Sequence, residues 1–329
     1  MTVGERGEHA LLAWLRQQLP RPGADVIIGI GDDAAVLVPT RGSYLVQTTD
    51  ALVEGVHFDR RWCTPDDIGR RAVAVNLSDL AAMGARPTWL LLSLVVPDTL
   101  PVDAFEALVL AVSGAARQAG ASLVGGNMTR TSGPLVVDVT ATGHVRPRRL
   151  LRRDAGRAGD ELWLTGSIGA AAAGLAMLRA GDTGDAACIG RYKVPTPRLR
   201  DAWAMARDRA ARAAVDLSDG LADAVHQIAS ASSLGARLEA SALPIEPAAR
   251  AWFAALGADA IGAAIGASDD YEMLFAVSPG AKGRMKAARA ASATPFTCIG
   301  TLTTQPGCVL TRDGVDGPLP TGFEHFASV

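Results

Sequence analysis

Apolar residues recur along the chain with two different periods. Spacings of three and four residues, typical of amphipathic helices, predict helices near residues 5–19, 66–84, 102–119, 168–180, 197–212, 220–233 and 281–291. Shorter apolar or alternating runs predict the strands VIIGI, YLVQTT, TWLLLSLVV, SLVGG, LVVDVTATGHV, ELWLTG, AAVDL, EMLFAV and FTCIGTL. Because helices and strands alternate over the whole chain, we expect an α/β fold built from α+β layers.

The length of the chain predicts two domains. A single hydrophobic core stops growing at roughly 250–300 residues, and this chain has 329 residues, 49% of them hydrophobic. The basic, glycine-containing stretch RPRRLLRRDAGRAGD is the best candidate for a boundary. We therefore expect one domain over residues 1–147 and a second over residues 148–329.

Charge and composition exclude several classes of function. The formal net charge is −2, and basic residues are scattered except for the short run Arg146, Arg148, Arg149, Arg152 and Arg153. We therefore expect no broad binding to nucleic acid or to a membrane surface. The longest apolar run, Trp89 to Val96, ends at Pro97 and is too short to span a bilayer. Four cysteines without a CxxC pair predict reduced thiols and a cytoplasmic protein.

Acidic residues are concentrated where predicted elements end. They occur in GIGDD, TTD, NLSD and DLSDG, and the residues concerned are Asp32, Asp33, Asp50, Asp79, Asp216 and Asp219. Each has an ordinary explanation when taken alone: a turn after glycine, a strand end, a solvated helix position, or capping of a helix by Ser218 or Asp219. Taken together they favour a site for hard divalent cations, which take oxygen ligands from carboxylates and hydroxyls.

Metal binding would also offset the repulsion between adjacent carboxylates such as Asp32 and Asp33, which precede an apolar run. A cluster of carboxylates repels phosphate, whereas bound Mg²⁺ inverts the local field and attracts it. The glycine-containing turns LVGGN and LTGSIGAAAAG could present free N–H groups to that phosphate, although such turns are common for steric reasons.

Several well-known catalytic motifs are missing from the sequence. It contains no G-x-x-x-x-G-K-[ST] loop, and GIG does not continue into G-x-G-x-x-G. The five histidines show no HExxH spacing, and no G-x-S-x-G elbow is present. A P-loop kinase, a Rossmann dehydrogenase and a serine hydrolase are therefore disfavoured.

The ordered motifs GIGDDAAVL, QTTDALVEGVHF, AVNLSDLAAMGARP, GGNMTR, LTGSIGAAAAGL, VDLSDGLADAVHQIA, DDYEMLF and GFEHF together resemble the thiamine-monophosphate kinase family. The resemblance covers nearly the whole chain. It implies a two-domain fold like that of aminoimidazole ribonucleotide synthetase, in which the N-terminal sheet pairs across a homodimer. It also implies ATP- and Mg²⁺-dependent phosphorylation of thiamine monophosphate to thiamine diphosphate by direct in-line transfer.

The same resemblance implies a set of site residues. Several Mg²⁺ ions would be held by Asp33, Thr48, Thr49, Asp50, Asp79, Asn127, Asp216 and Asp219. ATP would contact Gly126, Asn127, Arg153 and Ser218, and thiamine monophosphate would contact His57, Asp269 and Phe323. The acceptor is itself a phosphate, largely ionised near neutral pH, so no residue is expected to act as covalent catalyst or general base.

The chain departs from the family pattern at two places. Asn127 stands where the family has aspartate, and an amide oxygen can bind a cation but adds no charge. The family's GGEDYE reads ASDDYE over residues 267–272, so that serine and aspartate replace glycine and glutamate. Two alternatives follow: a related enzyme acting on a different acceptor, and a nucleotide-binding protein that has lost turnover. A selenophosphate synthetase is disfavoured, because no cysteine lies near the glycine-rich start.

Overall fold

The computed structural model describes residues 1–266 and 268–322. The helices of this part are α1 to α11: Val3–Arg6, Glu8–Gln18, Pro65–Ala82, Val102–Gln118, Ala170–Ala180, Ala186–Lys193, Leu199–Arg207, Leu221–Ala231, Pro247–Ala255, Ala260–Ile265 and Lys282–Ala290. The strands are β1 to β13: Val26–Ile28, Val36–Leu37, Tyr44–Val53, Arg86–Pro97, Ser122–Thr131, Val136–Val145, Glu161–Thr165, Ala211–Asp216, Gly235–Glu239, Met273–Val277, Phe296–Thr303, Cys308–Arg312 and Val315–Pro318.

The chain divides into two compact units. The first consists of Met1–Leu80 and Ala85–Pro147, and the second of Ala81–Gly84 and the chain from Arg148 onward. In the part that the structure describes, every helix falls short of the length or the apolar character needed to cross a membrane. All four cysteines carry free thiols, and those of Cys63 and Cys188 are buried.

The first unit is built on a four-stranded sheet with the order β3-β6-β4-β5. Strand β6 pairs antiparallel with both β3 and β4, and β4 pairs parallel with β5. Val137, Val139 and Ala141 of β6 are fully buried, whereas the alternating Asp138 and Thr140 are partly exposed. One face of the sheet is therefore covered, as the period of two residues requires, and the other face is more open.

The second unit is built on a seven-stranded sheet with the order β13-β12-β9-β11-β7-β10-β8. Its neighbouring strands are antiparallel except for β12 and β9, which are parallel. All five residues of β10 are buried, which explains why its sequence is continuously apolar. A core cluster includes Leu164 of β7, Val215 of β8 and Ile228 of α8, so this helix packs against one face of the sheet.

The predicted elements are largely confirmed, and the exceptions have local causes. All nine predicted strands are present, while β2, β9, β12 and β13 were not predicted. The helices α6, α9 and α10 were also missed, since they are only six to nine residues long. The helix predicted over 197–212 ends at Arg207, because the backbone turns at Arg209 and β8 begins at Ala211.

Candidate functional site

Strand β3 and helix α3 bring three predicted ligands together in the first unit. Thr48 and Asp50 are two residues apart on β3 and therefore project from the same face of the sheet. The hydroxyl of Thr48 donates to Oδ2 of Asp79, so α3 lies against this face. Asp50 and Asp79 are both partly exposed. The two carboxylates and one hydroxyl therefore form an oxygen-rich surface that solvent can reach.

The side chain of Thr49 does not join this group. It projects from the opposite face of β3, where its hydroxyl lies 2.9 Å from Oδ1 of Asp138 and 3.1 Å from the hydroxyl of Thr140. The geometry therefore does not favour binding of one cation by the side chains of Thr48, Asp50 and Thr49 together. Asp138 was not predicted as a site residue, although its polar position in the alternating run LVVDVTATGHV was visible in the sequence.

Asp32 and Asp33 are exposed rather than crowded against buried chain. The backbone N–H of Asp33 donates to Oδ1 of Asp32 at 2.8 Å. The following strand β2 contains only two residues, and Val36 within it is 45% exposed. The apolar run that follows these carboxylates is therefore not buried. Water can screen their mutual repulsion, so this pair alone does not require a cation.

Gly126 is required by the close approach of β4 and β5. A Cβ atom at this position would lie 1.9 Å from the carbonyl oxygen of Leu92 on the neighbouring strand. The register shifts between Leu90 and Leu91, which brings Gly126 level with Leu92 and Asn127 level with Ser93. Side chains at paired positions share a face. Leu92 is in turn level with Val139 of β6, and Val139 is level with Asp50 of β3. Gly126 and Asp50 therefore lie on one cross-strand row.

Asn127 follows on β5 with its side chain on the other face. It is level with Ser93, which in turn is level with Asp138 of β6. Asn127 is exposed. The amide therefore belongs to the open face of the sheet, which also carries Thr49, and not to the face of Thr48 and Asp50.

His57 is held in a tight loop that follows β3. The backbone N–H of Val53 donates to Nδ1 of His57 at 3.1 Å, so the neutral imidazole carries its proton on Nε2. Phe58, the next residue, is 1% exposed and anchors the loop. Glu54 braces the start of the loop, because its Oε1 accepts from Arg60 at 2.6 Å and its Oε2 accepts from the N–H of Leu135 at 3.2 Å.

The DLSDG motif of the second unit lies between the end of β8 and the start of α8. Asp216 is the last residue of β8 and is 4% exposed. The hydroxyl of Ser218 lies 3.3 Å from Oδ2 of Asp219. The helix is capped by Gly220 without a side-chain hydrogen bond, so the proposed capping by Ser218 or Asp219 was wrong. Removing this ordinary explanation leaves a binding role for Asp219 more favoured than before.

Gly220 also fixes the path of this motif. Its φ is +95°, and a Cβ atom would lie 1.7 Å from the carbonyl oxygen of Gly266. Only glycine fits such a position. The glycine of DLSDG is therefore explained by packing.

The segment that departs from the family pattern precedes β10. Asp270 is 1% exposed, and its carboxylate accepts from the N–H groups of Gly169 at 2.6 Å and Ala171 at 3.0 Å and from the hydroxyl of Ser268 at 2.7 Å. Burial raises the pKa of Asp270, although these hydrogen bonds oppose the shift. The start of α5 is therefore satisfied by an internal carboxylate. The prediction that N–H groups of LTGSIGAAAAG meet phosphate was wrong for Gly169 and Ala171.

The remaining predicted residues of the second unit lie in different surroundings. Asp269 is partly exposed next to the buried Asp270. Arg153 is exposed at a short 3₁₀ helix, and its carbonyl oxygen accepts from the hydroxyl of Ser232 at 3.0 Å. Phe323 lies outside the described residues.

The donor chemistry fits Mg²⁺, although the described residues do not form a complete centre. Among residues 1–266 and 268–322, no three His, Cys, Asp or Glu side chains form a group that could hold a metal ion. The groups that do lie together, Thr48 with Asp79 and Ser218 with Asp219, present only oxygen atoms. Hard cations prefer such ligands. The assignment of metal ligands therefore stays a prediction.

Comparison with known proteins identifies the family. Residues 31–145 match the AIR synthase related protein N-terminal domain, and residues 157–313 match the corresponding C-terminal domain. Thiamine-monophosphate kinase of Salmonella typhimurium strain LT2 is 37% identical over 331 residues, which cover 98% of this chain and 99% of that protein. The enzyme of Bacillus subtilis strain 168 is 32% identical over 320 residues, covering 92% and 94%.

Solved structures agree with this result. Thiamine-monophosphate kinase from Stenotrophomonas maltophilia K279a has a TM-score of 0.80 at 35% identity and covers 92% of this chain and 95% of its own. The structure of AaThiL complexed with AMPPCP and TMP has a TM-score of 0.77 at 29% identity and covers 99% of both chains. Hydrogenase maturation protein HypE with ATP has a TM-score of 0.81 at 21% identity, which shows a common fold alone.

These matches confirm the two-domain fold and the resemblance drawn from the motifs. They extend over both units and nearly the full length of the relatives. The chain belongs to the AIR synthase related proteins and, within them, to the thiamine-monophosphate kinase family.

Proposed function

We propose that this protein is a thiamine-monophosphate kinase, which transfers the γ-phosphoryl group of ATP to thiamine monophosphate and forms thiamine diphosphate and ADP. This would be the final step in the synthesis of thiamine diphosphate. The observation that carries the proposal is the full-length relationship to kinases of this name, at 37% identity. A relative aligned over 99% of both chains binds AMPPCP and TMP, which are an ATP analogue and the acceptor.

Oxygen donors are assigned to Mg²⁺ in each unit separately. In the first unit we assign Asp33, Thr48, Asp50 and Asp79, supported by the shared face of β3 and the contact between Thr48 and Asp79. In the second we assign Asp216 and Asp219. The side chains of Thr49 and Asn127 project from the other face of the sheet. These two residues would bind Mg²⁺ on that face or through their backbone oxygen atoms. When bound, Mg²⁺ supplies positive charge that neutralises the phosphate oxygens.

The residues predicted to bind ATP and the acceptor keep their assignments. Gly126, Asn127, Arg153 and Ser218 would contact ATP, and the glycine lets the backbone come close because it has no side chain. His57, Asp269 and Phe323 would contact thiamine monophosphate. With Nδ1 engaged by Val53, the Nε2–H of His57 is the donor that a phosphate oxygen of the acceptor would use.

The reaction needs positioning and charge neutralisation rather than a covalent catalyst. An oxygen of the acceptor phosphate forms a bond to the γ-phosphorus of ATP, and the bond from this phosphorus to the bridging oxygen breaks, so that ADP leaves with the electron pair. The attacking oxygen is already ionised, and no proton has to be removed from it. The loop braced by Glu54 and Phe58 would hold the acceptor in line by fixing His57.

We further infer that the protein acts in the cytoplasm as a homodimer. The open face of the four-stranded sheet exposes 53% of Leu45 and 42% of Leu91. Large apolar side chains exposed on one sheet face are typical of surfaces that bind another protein. A mass measurement by light scattering during size-exclusion chromatography would test the dimer, and a mass near 34.0 kDa would contradict it.

The proposed reaction is tested by chromatographic detection of thiamine diphosphate. Purified protein is incubated with thiamine monophosphate and ATP, once with Mg²⁺ and once with EDTA. We expect product only in the sample with Mg²⁺. Binding of ATP without product would favour a protein that has lost turnover, and ADP release with a different phosphorylated acceptor would favour a related enzyme.

A further inference from the structure

The second unit contains a small cavity that is lined by arginine and is not explained by the kinase reaction. Its volume is about 270 Å³. Six guanidinium-bearing residues line it: Arg148, Arg149, Arg157, Arg209, Arg212 and Arg284. The other described lining residues are leucines, alanines and Ser278, so no carboxylate of residues 1–266 and 268–322 forms part of the wall. We call this feature the arginine cavity.

Most of these charges lack an internal counterion. Arg212 is paired with the buried Asp160, at 2.9 Å from Nη1 to Oδ1. Within the described residues, the structure shows no ion pair for the other five side chains. The nearby Asp208 is engaged by Arg207 through two contacts of 2.7 Å, and the charge of Arg149 also contributes to lowering the pKa of Asp208. Asp160 and Asp208 are each paired with an arginine and neutralise little of the remaining charge. The cavity therefore retains a strong positive potential.

Arg209 occupies a backbone position that normally favours glycine. It follows α7 with a φ of +53°. Its N–H donates to the carbonyl oxygen of Ala206 at 3.3 Å, and the N–H of Ala210 donates to Met205 at 2.9 Å. This is the Schellman arrangement, in which glycine is most common because a side chain costs conformational energy. Arginine therefore occupies a position at which the stability of the backbone alone would favour glycine.

The arginine cavity is distinct from the predicted kinase residues of its unit. Arg212 is the second residue of β8, whereas Asp216 is the last, and Ser218 and Asp219 follow it. With a rise of about 3.3 Å per residue, the backbone positions of Arg212 and Asp216 are roughly 13 Å apart. Arg153, which the motifs assign to ATP, does not line the cavity.

The chemistry and size of the cavity define its ligand. Planar guanidinium groups bind phosphate oxygens through paired hydrogen bonds, and several together select ligands with more than one negative charge. A volume of 270 Å³ is slightly below the usual range of roughly 300–1,000 Å³ for small-molecule pockets. We propose that the arginine cavity is a second anion site, separate from the kinase residues, that binds a compact diphosphate group.

The proposal is tested by isothermal titration calorimetry with inorganic diphosphate in the presence of EDTA. Without metal the acidic kinase residues repel phosphate, so the titration reports on the cavity. We expect saturable binding by the wild-type protein, tighter than that of sulfate at matched ionic strength.

Variants locate the site without relying on a damaged fold. Arg209→Gly removes a guanidinium and relieves the backbone, so its melting temperature should be equal to or above that of the wild type. It should bind diphosphate about ten-fold more weakly or worse, as should Arg149→Gln and Arg284→Gln. Arg179→Gln, an exposed arginine of α5 outside the cavity, is the matched control and should bind normally.

Three outcomes would overturn the proposal. They are the absence of saturable binding to the wild type, an affinity for diphosphate no greater than that for sulfate, and unchanged affinity in a folded Arg209→Gly protein. Loss of diphosphate binding in Arg153→Gln, with binding by Arg209→Gly unchanged, would also contradict it, because the anion would then be bound at a residue assigned to ATP. None of these outcomes bears on whether thiamine diphosphate is formed.

Discussion

Glu272 and Arg198 form an ion pair in the interior of the second unit. Nε of Arg198 donates to Oε2 of Glu272 at 2.6 Å, and the glutamate side chain has no exposed surface. Arg191 donates to Oε1 at 2.7 Å, and the hydroxyl of Thr165 donates to Oε2 at 2.6 Å. The glutamate therefore ties β7 and two arginines to the segment that carries Asp269 and Asp270.

Replacing Glu272 by glutamine should destabilise the protein strongly. The variant keeps the shape of the side chain but leaves two largely buried guanidinium groups without their carboxylate. Removing one partner of such a pair costs about 3–5 kcal/mol. Urea unfolding followed by circular dichroism would measure the change. The control is Asp316→Asn, which breaks the exposed pair with Arg237 and should leave the midpoint nearly unchanged; equal midpoints for wild type and Glu272→Gln would contradict the prediction.

Asp50→Asn and Asp216→Asn should each lower kcat by about 100-fold or more. The amide is nearly the same size as the carboxylate but cannot supply charge to a cation that neutralises the transferred group. Far-ultraviolet circular dichroism should show an unchanged fold. Asp66→Asn, which weakens an exposed ion pair with Arg70 at the start of α3, is the matched control and should retain most of the activity. Full activity in both Asp50→Asn and Asp216→Asn would argue against the predicted metal ligands.

Asn127→Asp should lower the Mg²⁺ concentration required for half-maximal activity. The added carboxylate restores the charge found in the family at this position, and carboxylates bind hard cations more tightly than amides. Because the side chain is exposed, the fold should tolerate the change. The measurement is the initial rate of thiamine diphosphate formation over a series of Mg²⁺ concentrations. A curve that coincides with that of the wild type would remove Asn127 from the metal site.

His57→Ala should raise the KM for thiamine monophosphate several-fold and leave the KM for ATP nearly unchanged. The reason is that the imidazole is predicted to bind the acceptor and not the nucleotide. His57→Gln offers a side-chain donor and should recover part of the loss. Initial rates with each substrate varied in turn would separate the two constants. An equal rise in both would show that the loop has been disturbed instead.

The stability of the protein should fall as the pH decreases below about 6.5. Burial, together with the charge of Arg86, lowers the pKa of His144 below its ordinary value. In this range the unfolded chain takes up a proton that the folded protein does not, so protonation favours unfolding. Above pH 6.5 both states are neutral and the effect vanishes. Urea midpoints measured from pH 8 to pH 5 should decline less in His144→Gln than in the wild type, with the exposed His9→Gln as control.

Local patterns in the sequence identified most elements that position the candidate site. The alternation in LVVDVTATGHV predicted β6, and the apolar run of EMLFAV predicted the buried β10. The short helices α6, α9 and α10 escaped notice because so few residues give little periodicity to detect. Strands β9 and β12, each of five residues, likewise depend mainly on their partners in the sheet.

Sequence reasoning was weakest where one motif could serve either binding or packing. LTGSIGAAAAG was interpreted as a source of free N–H groups, but the carboxylate of Asp270, about 100 residues later, accepts from two of them. Capping of α8 by Ser218 or Asp219 was the ordinary explanation for these residues taken alone, but the cap is Gly220. Such assignments depend on contacts between residues that are distant along the chain.

The sequence by itself determined the family, the two-domain α/β organisation and the identity of the candidate ligands, because ordered motifs and apolar periodicity are local properties of the chain. Only the tertiary structure decided which side chains share a surface. It separated Thr49 from Thr48 and Asp50, since consecutive residues of a strand face opposite sides. It also gathered Arg148, Arg209 and Arg284 around one cavity, since these residues meet only through the packing of elements far apart in the sequence.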